Sequence, residues 1–374
     1  MTAIWQVVTR LNIGGPAQQI LELASDLDRR FEVTVFAGHP ASHEGEVDRV
    51  PHLEYVPLVR PIHPSSDVAA FMSLRGATSR RAPDIIHTHM AKAGVIGRSA
   101  AFSVRERPRT VHTFHGHVLS GYFAPAISRA FVEIERRLAR RTDALVAVSA
   151  TLRDELLALG IGDASKFHVI PLGLDVERYA RPQCTTMGLR AALGIAAGTP
   201  LVGYIGRLTP IKDHETAFNA LRRVPEAHML LIGDGELRQD LRRLAASLEI
   251  APRVHFLGWR SDIADLLAEL DVVLLTSRSE GTPLALIEAA AAGRAIVATD
   301  VGGVRDIVQP GVSGVLCRPQ AAAEVGAALL ELLGNPRRRA ALGAAAQRHA
   351  RATFGKAVML ERHAALYEDL TSRR

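Results

Sequence analysis

Two acidic residues eight positions apart, Glu280 and Glu288, lie in the segment SEGTPLALIE, between an apolar strand and an Ala-rich helical stretch. Two carboxylates at this spacing can each bind a diol, one on a sugar and one on a ribose. Thr282 is a preferred N-cap type and Pro283 a preferred first helical residue, which predicts that the helix begins there. Glu288 then lies about two turns inside, and the free backbone amides near Gly281–Leu284 can bind an anion or a hydroxyl group.

The alternative for these acids is structural. Glu280 would only complement the helix dipole, and Glu288 would be an ordinary helical residue. Against this alternative, a run of alanines follows Glu288, which predicts a buried helix. A buried carboxylate is costly unless it has a partner.

A basic pair, Arg207 and Lys212, follows another predicted strand in the segment GRLTPIK. Arginine offers a rigid fork and lysine a point charge, so the two can converge on one diphosphate. Two solvated basic residues are the alternative. Gly233, in IGDGE after the next strand, suits a ligand-facing loop or a plain turn.

Paired glycines, Gly14 and Gly15, follow the first predicted strand in the segment NIGGP. They allow the backbone to approach a ligand, and the following helix N-terminus favours an anion. A tight turn is the alternative. The loop is not GxGxxG, and the second strand ends in Phe36, Ala37 and Gly38 without a ribose-binding acid, which argues against NAD.

Five histidines stand at two strand ends: His87 and His89 in IIHTHM, and His112, His115 and His117 in VHTFHGH. Clustered histidines suggest zinc. No HExxH occurs, however, and no acid lies beside either cluster. The pattern predicts a polar cleft wall, and we expect no metal and no other cofactor.

Apolar runs alternate with helical patterns along the whole chain of 374 residues. The predicted strands are residues 4–8, 31–36, 53–56, 84–87, 110–114, 144–148, 168–170, 201–205, 228–232, 254–257, 272–275, 295–298 and 314–316. Buried strands separated by helices indicate a doubly wound parallel α/β fold, here occurring twice. We expect one domain over 1–180, a second over 181–354, and a C-terminal helix over 355–374 that crosses back to the first domain.

Composition excludes several classes of protein. The net charge of +6 is modest and spread over both halves, so no nucleic-acid-binding arm is expected. Cys184 and Cys317 are far apart, which argues against disulfides and fits a reducing cytoplasm. The N-terminus lacks the pattern of a signal peptide. No stretch reaches the ~20 apolar residues of a membrane span. We expect a cytoplasmic protein.

Taken in order, the segments NIGGP, DIIHTHMAKAG, TFHGH, GRLTPIKD, IGDGELR, FLGW, SEGTPLALIEAAAAG and DVGGVRDIV resemble the GT-B glycosyltransferases of family 4. The resemblance covers essentially the whole chain. It implies two Rossmann-like domains facing across a cleft, a nucleotide-sugar donor, transfer with retention of anomeric configuration, and no metal.

The resemblance also implies roles for individual residues. Arg207 and Lys212 would neutralise the donor diphosphate in place of a divalent cation. Glu280 would bind hydroxyls of the transferred sugar and Glu288 the ribose, while His115 would lie beside that sugar as a catalytic residue. The predicted donor-binding set is Gly14, Gly15, Arg207, Lys212, Gly233, Trp259, Arg260, Glu280, Gly281, Thr282, Pro283, Leu284 and Glu288. Within this set, Gly15 would approach the phosphate and the backbone at Trp259 and Arg260 would recognise the base.

One residue departs from the family pattern. Many members have EGFG where this chain has EGTP, and Pro283 removes one amide donor from that loop.

The acceptor is predicted to be a glycan, a lipid-linked saccharide or a small molecule. An apolar segment at 121–127 followed by basic residues suggests contact with an anionic membrane surface, or alternatively a solvated basic helix face. That contact would favour a polyprenyl-diphosphate-linked saccharide as the acceptor.

UDP-sugar is the preferred donor, with GDP-sugar as the alternative. Two other functions remain open at this stage, a nucleotide-sugar epimerase on the same scaffold and a non-catalytic two-domain ligand-binding protein.

Overall fold

The computed structural model describes residues 1–11, 15–27, 30–39, 50–116, 125–181 and 188–372. They form two compact units. Unit 1 comprises residues 1–173 and 356–374, and unit 2 comprises residues 174–355. The sequence placed the boundary at residue 180, whereas the short helix at 176–180 belongs to unit 2. The backbone N–H of Leu174 donates to the carbonyl of Phe354 (2.8 Å), which joins the two ends of unit 2.

Unit 1 contains a seven-stranded parallel sheet covered by helices. Its strands are β1 (Thr2–Arg10), β2 (Phe31–Gly38), β3 (Leu53–Tyr55), β4 (Ile85–His89), β5 (Arg109–Phe114), β6 (Ala144–Ala147) and β7 (Phe167–Val169). They lie in the order β3-β2-β1-β4-β5-β6-β7. The helices are α1 (Gly15–Asp26), α2 (Pro64–Arg81), α3 (Ala91–Phe102), α4 (Pro125–Arg141), α5 (Ala150–Ala158) and, from the chain's end, α15 (Lys356–Ser372).

Unit 2 repeats this architecture with six parallel strands. They are β8 (Leu201–Ile205), β9 (His228–Ile232), β10 (Val254–Gly258), β11 (Val272–Leu275), β12 (Ala295–Thr299) and β13 (Val315–Cys317), in the order β10-β9-β8-β11-β12-β13. The helices are α6 (Val176–Ala180), α7 (Leu189–Ala192), α8 (His214–Leu221), α9 (Arg238–Ser247), α10 (Ile263–Glu269), α11 (Leu284–Ala291), α12 (Val304–Ile307), α13 (Ala322–Gly334) and α14 (Pro336–Phe354).

Burial on both faces explains why the strands are mostly apolar. In β1, Ile4 and Val8 pack in one core cluster with side chains of α1 and α15, whereas Trp5 and Val7 pack on the opposite face with those of α2 and α3. Successive strand residues point to opposite faces, so a sheet covered on both sides favours apolar residues at consecutive positions. The doubly wound fold predicted from the sequence is confirmed, and each predicted strand overlaps an observed one.

The strand order determines which loops are neighbours. In unit 1 the order reverses at β1, which lies between β2 and β4. In unit 2 it reverses at β8, which lies between β9 and β11. Ligands of open parallel sheets bind at the carboxyl ends of strands beside such a reversal. In unit 2 this edge carries the loops after β8, β9 and β11. Among the described residues, no helix has both the length and the apolarity that crossing a membrane requires.

Candidate functional site

Glu280, in the loop after β11, is held by two side chains. Lys212 Nζ and Ser277 Oγ each lie 2.5 Å from its Oε1 atom. The side chains of Lys212 and Glu280 are 17% and 11% exposed, respectively, so water screens their attraction less than it would on an open surface. The strand order thus brings together an ammonium and a carboxylate that the sequence had placed in separate loops.

Buried hydroxyl groups hold the backbone around Lys212 in place. Residues Pro210–Lys212 form one 3-10 turn, and Asp213 follows in the left-handed region with φ 49°. Tyr204 Oη donates to the carbonyl oxygen of Lys212 (2.5 Å), and Thr276 Oγ1 lies 2.8 Å from the carbonyl oxygen of Asp213. Burial raises the pKa of Tyr204, so its hydroxyl stays protonated and remains a donor.

Two glycines let the loops of this edge pack directly on one another. Gly233 has φ 134°, and a Cβ atom there would lie 2.1 Å from the carbonyl oxygen of Gly206. Gly302 has φ 47°, and a Cβ atom there would lie 2.0 Å from the carbonyl oxygen of Glu280. Any side chain at either position would therefore push apart the loops that carry the charged residues.

Several polar groups on these loops are unused. The Arg207 side chain is exposed and has no hydrogen bond or ion pair with any described residue, so it does not join Lys212 in a common contact. Within the same described part of the chain, Thr209 Oγ1 and Thr282 Oγ1 are buried without hydrogen-bond partners. Buried polar atoms normally have partners. A free guanidinium and two unpaired hydroxyls on adjoining loops are features of a ligand site.

The start of helix α11 differs from the sequence prediction. Pro283 is the N-cap and Leu284 the first helical residue, so Thr282 is not the cap. The carbonyl oxygen of Pro283 accepts from the N–H of Leu286 (3.0 Å), which closes the first turn. Gly281 and Thr282 therefore stand outside the helix, and Glu288 lies about one turn from its start rather than two. The Pro283 ring keeps φ at −71° and fixes this entry.

Glu288 has a partner that the sequence prediction missed. Tyr179 Oη donates to Glu288 Oε1 over 2.8 Å. Tyr179 lies on α6, a short helix whose N-cap, Asp175, accepts from the N–H of Arg178. Burial raises the pKa of Glu288, and the Tyr179 hydrogen bond acts in the opposite direction by stabilising the charged form. No local pattern in the sequence indicates this pair, because its members lie far apart along the chain.

The loop after β10 adjoins the same edge. The N–H of Gly233 donates to the carbonyl oxygen of Gly258 (2.8 Å), next to Trp259 and Arg260. Trp259 is 59% exposed, and Arg260 Nε donates to Asp262 Oδ1 (2.8 Å). The Arg260 side chain is thus already occupied, and its backbone remains for contact with a ligand.

The described histidines of the two predicted clusters do not form an open polar wall. His87, His89 and His112 are at most 1% exposed and lie inside the sheet region, and only His115 is partly exposed. Burial lowers the pKa of each of them, to about 3 for His115. Both ring nitrogens of His87 and of His89, and one nitrogen each of His112 and His115, bond to neutral side chains or to each other, which suits neutral imidazoles.

Some predicted residues lie outside the described part of the chain. These are Gly14 of the glycine pair, His117, and residues 121–124 of the segment assigned to membrane contact. Gly15 is described, as the first residue of α1. Ile127 is described on α4, where it is 48% exposed.

Two family models match the chain. Glycosyltransferase Family 4 matches residues 13–178, and Glycosyl transferases group 1 matches residues 188–349. The first match lies almost wholly in unit 1 and the second in unit 2.

Similar proteins are known from several bacteria. UDP-Gal:alpha-D-GlcNAc-diphosphoundecaprenol alpha-1,3-galactosyltransferase of Escherichia coli is 30% identical over 271 residues, which is 70% of each chain. D-inositol 3-phosphate glycosyltransferase of Xylanimonas cellulosilytica is 30% identical and covers 96% of this chain and 93% of its own. The crystal structure of HepE from Anabaena, in complex with UDP and glucose, has a TM-score of 0.83 and 24% identity, covering 99% of this chain and all of that one.

Proposed function

The chain belongs to glycosyltransferase family 4 and is a hexosyltransferase-type enzyme of GT-B fold, and we propose that it transfers a sugar from a UDP-sugar bound at the carboxyl edge of the unit 2 sheet. UDP is favoured because the Escherichia coli relative is named for UDP-Gal and the HepE structure contains UDP. The loops after β8, β9, β10 and β11 form this site.

The observation that carries the proposal is the contact between Lys212 and Glu280 beside the unpaired Arg207. When a diphosphate arrives, Lys212 turns from Glu280 to the phosphate oxygens, and Arg207 supplies a second cation with fork geometry. Glu280 is then free to accept hydrogen bonds from the hydroxyls of the transferred sugar. Lys212 thus exchanges one anionic partner for another, and Glu280 gains hydroxyl donors, so neither group is left buried and alone.

The remaining residues divide between nucleotide and sugar. Glu288, oriented by Tyr179, binds the ribose, and the backbone at Trp259 and Arg260 contacts the base. Thr282 Oγ1 and the amide of Gly281 offer polar groups to the donor. The motif resemblance assigns His115 to the transferred sugar and Gly15 to the phosphate. Transfer proceeds with retention, as in the family that the motifs resemble.

The acceptor is proposed to be a polyprenyl-diphosphate-linked saccharide. The Escherichia coli relative is named for such a substrate. Helix α4 also carries exposed apolar residues, Ile127 and Ile134, and ends in two exposed basic residues, Arg140 and Arg141. An apolar and basic helix face favours an anionic lipid surface, so we propose a peripheral contact with the inner face of the membrane.

Metal chelation and nucleotide selectivity test the donor proposal. Because Arg207 and Lys212 supply the positive charge, transfer from the UDP-sugar continues in EDTA. UDP at 100 times its Kd stabilises the folded protein by about 2.7 kcal/mol and raises Tm, and GDP at the same concentration raises it less. A thermal-shift assay measures the change in Tm, and a nucleotide-release assay in EDTA measures transfer. Activity abolished by EDTA and restored by Mg²⁺ or Mn²⁺ would refute the metal-independent mechanism. A larger Tm shift with GDP would show that GDP, rather than UDP, is the donor nucleotide.

A further inference from the structure

A buried amide in unit 1 connects two chains of hydrogen bonds. Gln6, on β1, has its Oε1 atom 2.7 Å from His89 Nε2, and its Nε2 atom donates to Tyr367 Oη over 3.0 Å. Gln6, His89 and Tyr367 are all fully buried. An amide has one acceptor end and one donor end. Its orientation therefore decides which way every hydrogen bond in both chains points.

The first chain leads from Gln6 to His115. A neutral imidazole has one N–H and one lone pair. His89 donates from Nε2 to Gln6, so its Nδ1 carries the lone pair and accepts from His115 Nε2, which lies 3.0 Å away. His115 is consequently protonated on Nε2 and carries its lone pair on Nδ1. That Nδ1 atom is buried, and no described residue bonds to it.

The second chain runs toward the C-terminal helix and is consistent with the first. Tyr367 Oη accepts from Gln6, so its own hydrogen points to His87 Nδ1, 2.6 Å away. His87 then carries its hydrogen on Nε2 and donates to Thr113 Oγ1 over 2.7 Å. Helix α15 thus contributes, through Tyr367, to the orientation of the Gln6 amide.

We propose that Gln6 and His89 are positioning residues that hold His115 in the tautomer with a bare Nδ1, so that this atom accepts a hydrogen bond from a hydroxyl of the transferred sugar. The second half of the proposal rests on the proposed function, in which His115 lies beside that sugar. The tautomer itself does not depend on it. The nitrogen that faces the ligand is set by the bond that the other nitrogen makes.

Nitrogen NMR of the intact protein labelled with 15N-histidine tests the tautomer directly. His115→Asn identifies the His115 signals by their disappearance. We expect Nδ1 of His115 to resonate as an unprotonated nitrogen and Nε2 as a protonated one at neutral pH. The opposite pattern, a protonated Nδ1, is what a rotated Gln6 amide would produce and would overturn the proposal without affecting the donor assignment.

Kinetics of two matched variants test the consequence for transfer. Gln6→Met keeps the volume but removes both amide bonds. Thr88→Val removes a buried hydroxyl on the neighbouring strand β4 that bonds to His112 instead (2.8 Å). We expect Gln6→Met to lower kcat about tenfold, the size of one lost hydrogen bond, with unchanged UDP affinity. Thr88→Val keeps the kcat of the parent.

The NMR spectra keep this test informative if Gln6→Met also lowers stability. In that variant the His115 nitrogens should shift toward the average of two tautomers, whereas Thr88→Val leaves them in place. Equal losses of kcat in both variants with an unchanged His115 spectrum would overturn the positioning role. A folded His115→Ala enzyme with normal turnover would instead contradict the proposed contact with the sugar.

Discussion

At the scale of single residues, the two acids of the unit 2 site differ in what holds them. One oxygen atom of Glu280, Oε1, bonds to both Lys212 and Ser277. Either side chain can exchange this bond for one to a ligand. Glu288 has a neutral hydrogen-bond partner, Tyr179, and the nearby charge of Arg178 favours its ionised form. A carboxylate whose hydrogen bond comes from a neutral hydroxyl can also accept from the hydroxyls of a ribose.

His115 gives a prediction at the same scale. His115→Ala should leave UDP affinity within about threefold, under ~1 kcal/mol, because the proposed base and ribose contacts lie on unit 2. Turnover should fall by at least about 100-fold, the lower range for losing a positioned polar group at a reacting centre. Calorimetry and a transfer assay on one preparation measure both. If His115 only packs against its neighbours, Tm falls instead and turnover per folded molecule stays near normal.

These single-residue contacts are the part of the site that the sequence predicted least well. The motifs identified Lys212 and Glu280 separately, but the pair that they form spans 68 positions. Tyr179 and Glu288 are 109 positions apart, and Gln6 and Tyr367 are 361 apart. Such pairs are created by strand order, which a pattern in one segment does not contain. The sequence indicated which types of residue form the site, but not which residues they contact.

At the scale of elements, the strands were predictable because both faces of each sheet are covered and most strand positions are apolar. The start of α11 was not. Thr282 and Pro283 have the residue types of an N-cap and a first helical position, yet the chain enters the helix one residue later. Cap propensity decides between adjacent positions by only about 1 kcal/mol. The carbonyl of Glu280 packs against Gly302, so tertiary contacts also constrain this loop.

A buried ion pair between α3 and α4 gives a prediction for the packing of elements. Arg98 Nη2 lies 2.6 Å from Glu135 Oε2, with side chains 0% and 6% exposed. Glu135→Ala leaves a buried, unpaired guanidinium, which should lower the free energy of unfolding by about 3–5 kcal/mol. Urea denaturation measures the loss.

The same helix provides the control for this pair. Glu133 forms an exposed i,i+4 pair with Arg137, and Glu133→Ala should cost under about 1 kcal/mol. The double variant Arg98→Met/Glu135→Leu should recover most of the stability that Glu135→Ala loses, because it removes both charges. Similar losses for Glu133→Ala and Glu135→Ala would show that the pair is not buried in solution.

At the scale of the whole molecule, the interior of unit 1 should make the protein sensitive to acid. Burial lowers the pKa of five of its histidines: His87, His89, His112, His115 and His363. In the unfolded chain these groups titrate near pH 6.5. Below that pH the unfolded state binds more protons, so stability that is complete above about pH 6.5 is lost as the pH falls.

Each of these histidines should contribute about 1.4 kcal/mol per pH unit between its folded and unfolded pKa. The urea midpoint of unit 1 should therefore fall steeply from pH 7 to pH 5. Trp5 is 2% exposed in this unit, and Trp259→Phe leaves it as the sole tryptophan, so its fluorescence reports the transition. A midpoint that is the same at pH 7 and pH 5 would mean that the histidines are accessible to protons in the folded state.

The central claim is that unit 2 binds the donor nucleotide without metal and that its two acids divide sugar from ribose. Calorimetric titration of UDP in EDTA into the parent protein, Glu280→Ala and Glu288→Ala tests it most directly. We predict binding to the parent, a loss of about 1–3 kcal/mol in Glu288→Ala, and a change within about threefold in Glu280→Ala, whose proposed contacts are to the sugar that UDP lacks. Equal losses in both variants, or binding that requires Mg²⁺, would contradict it.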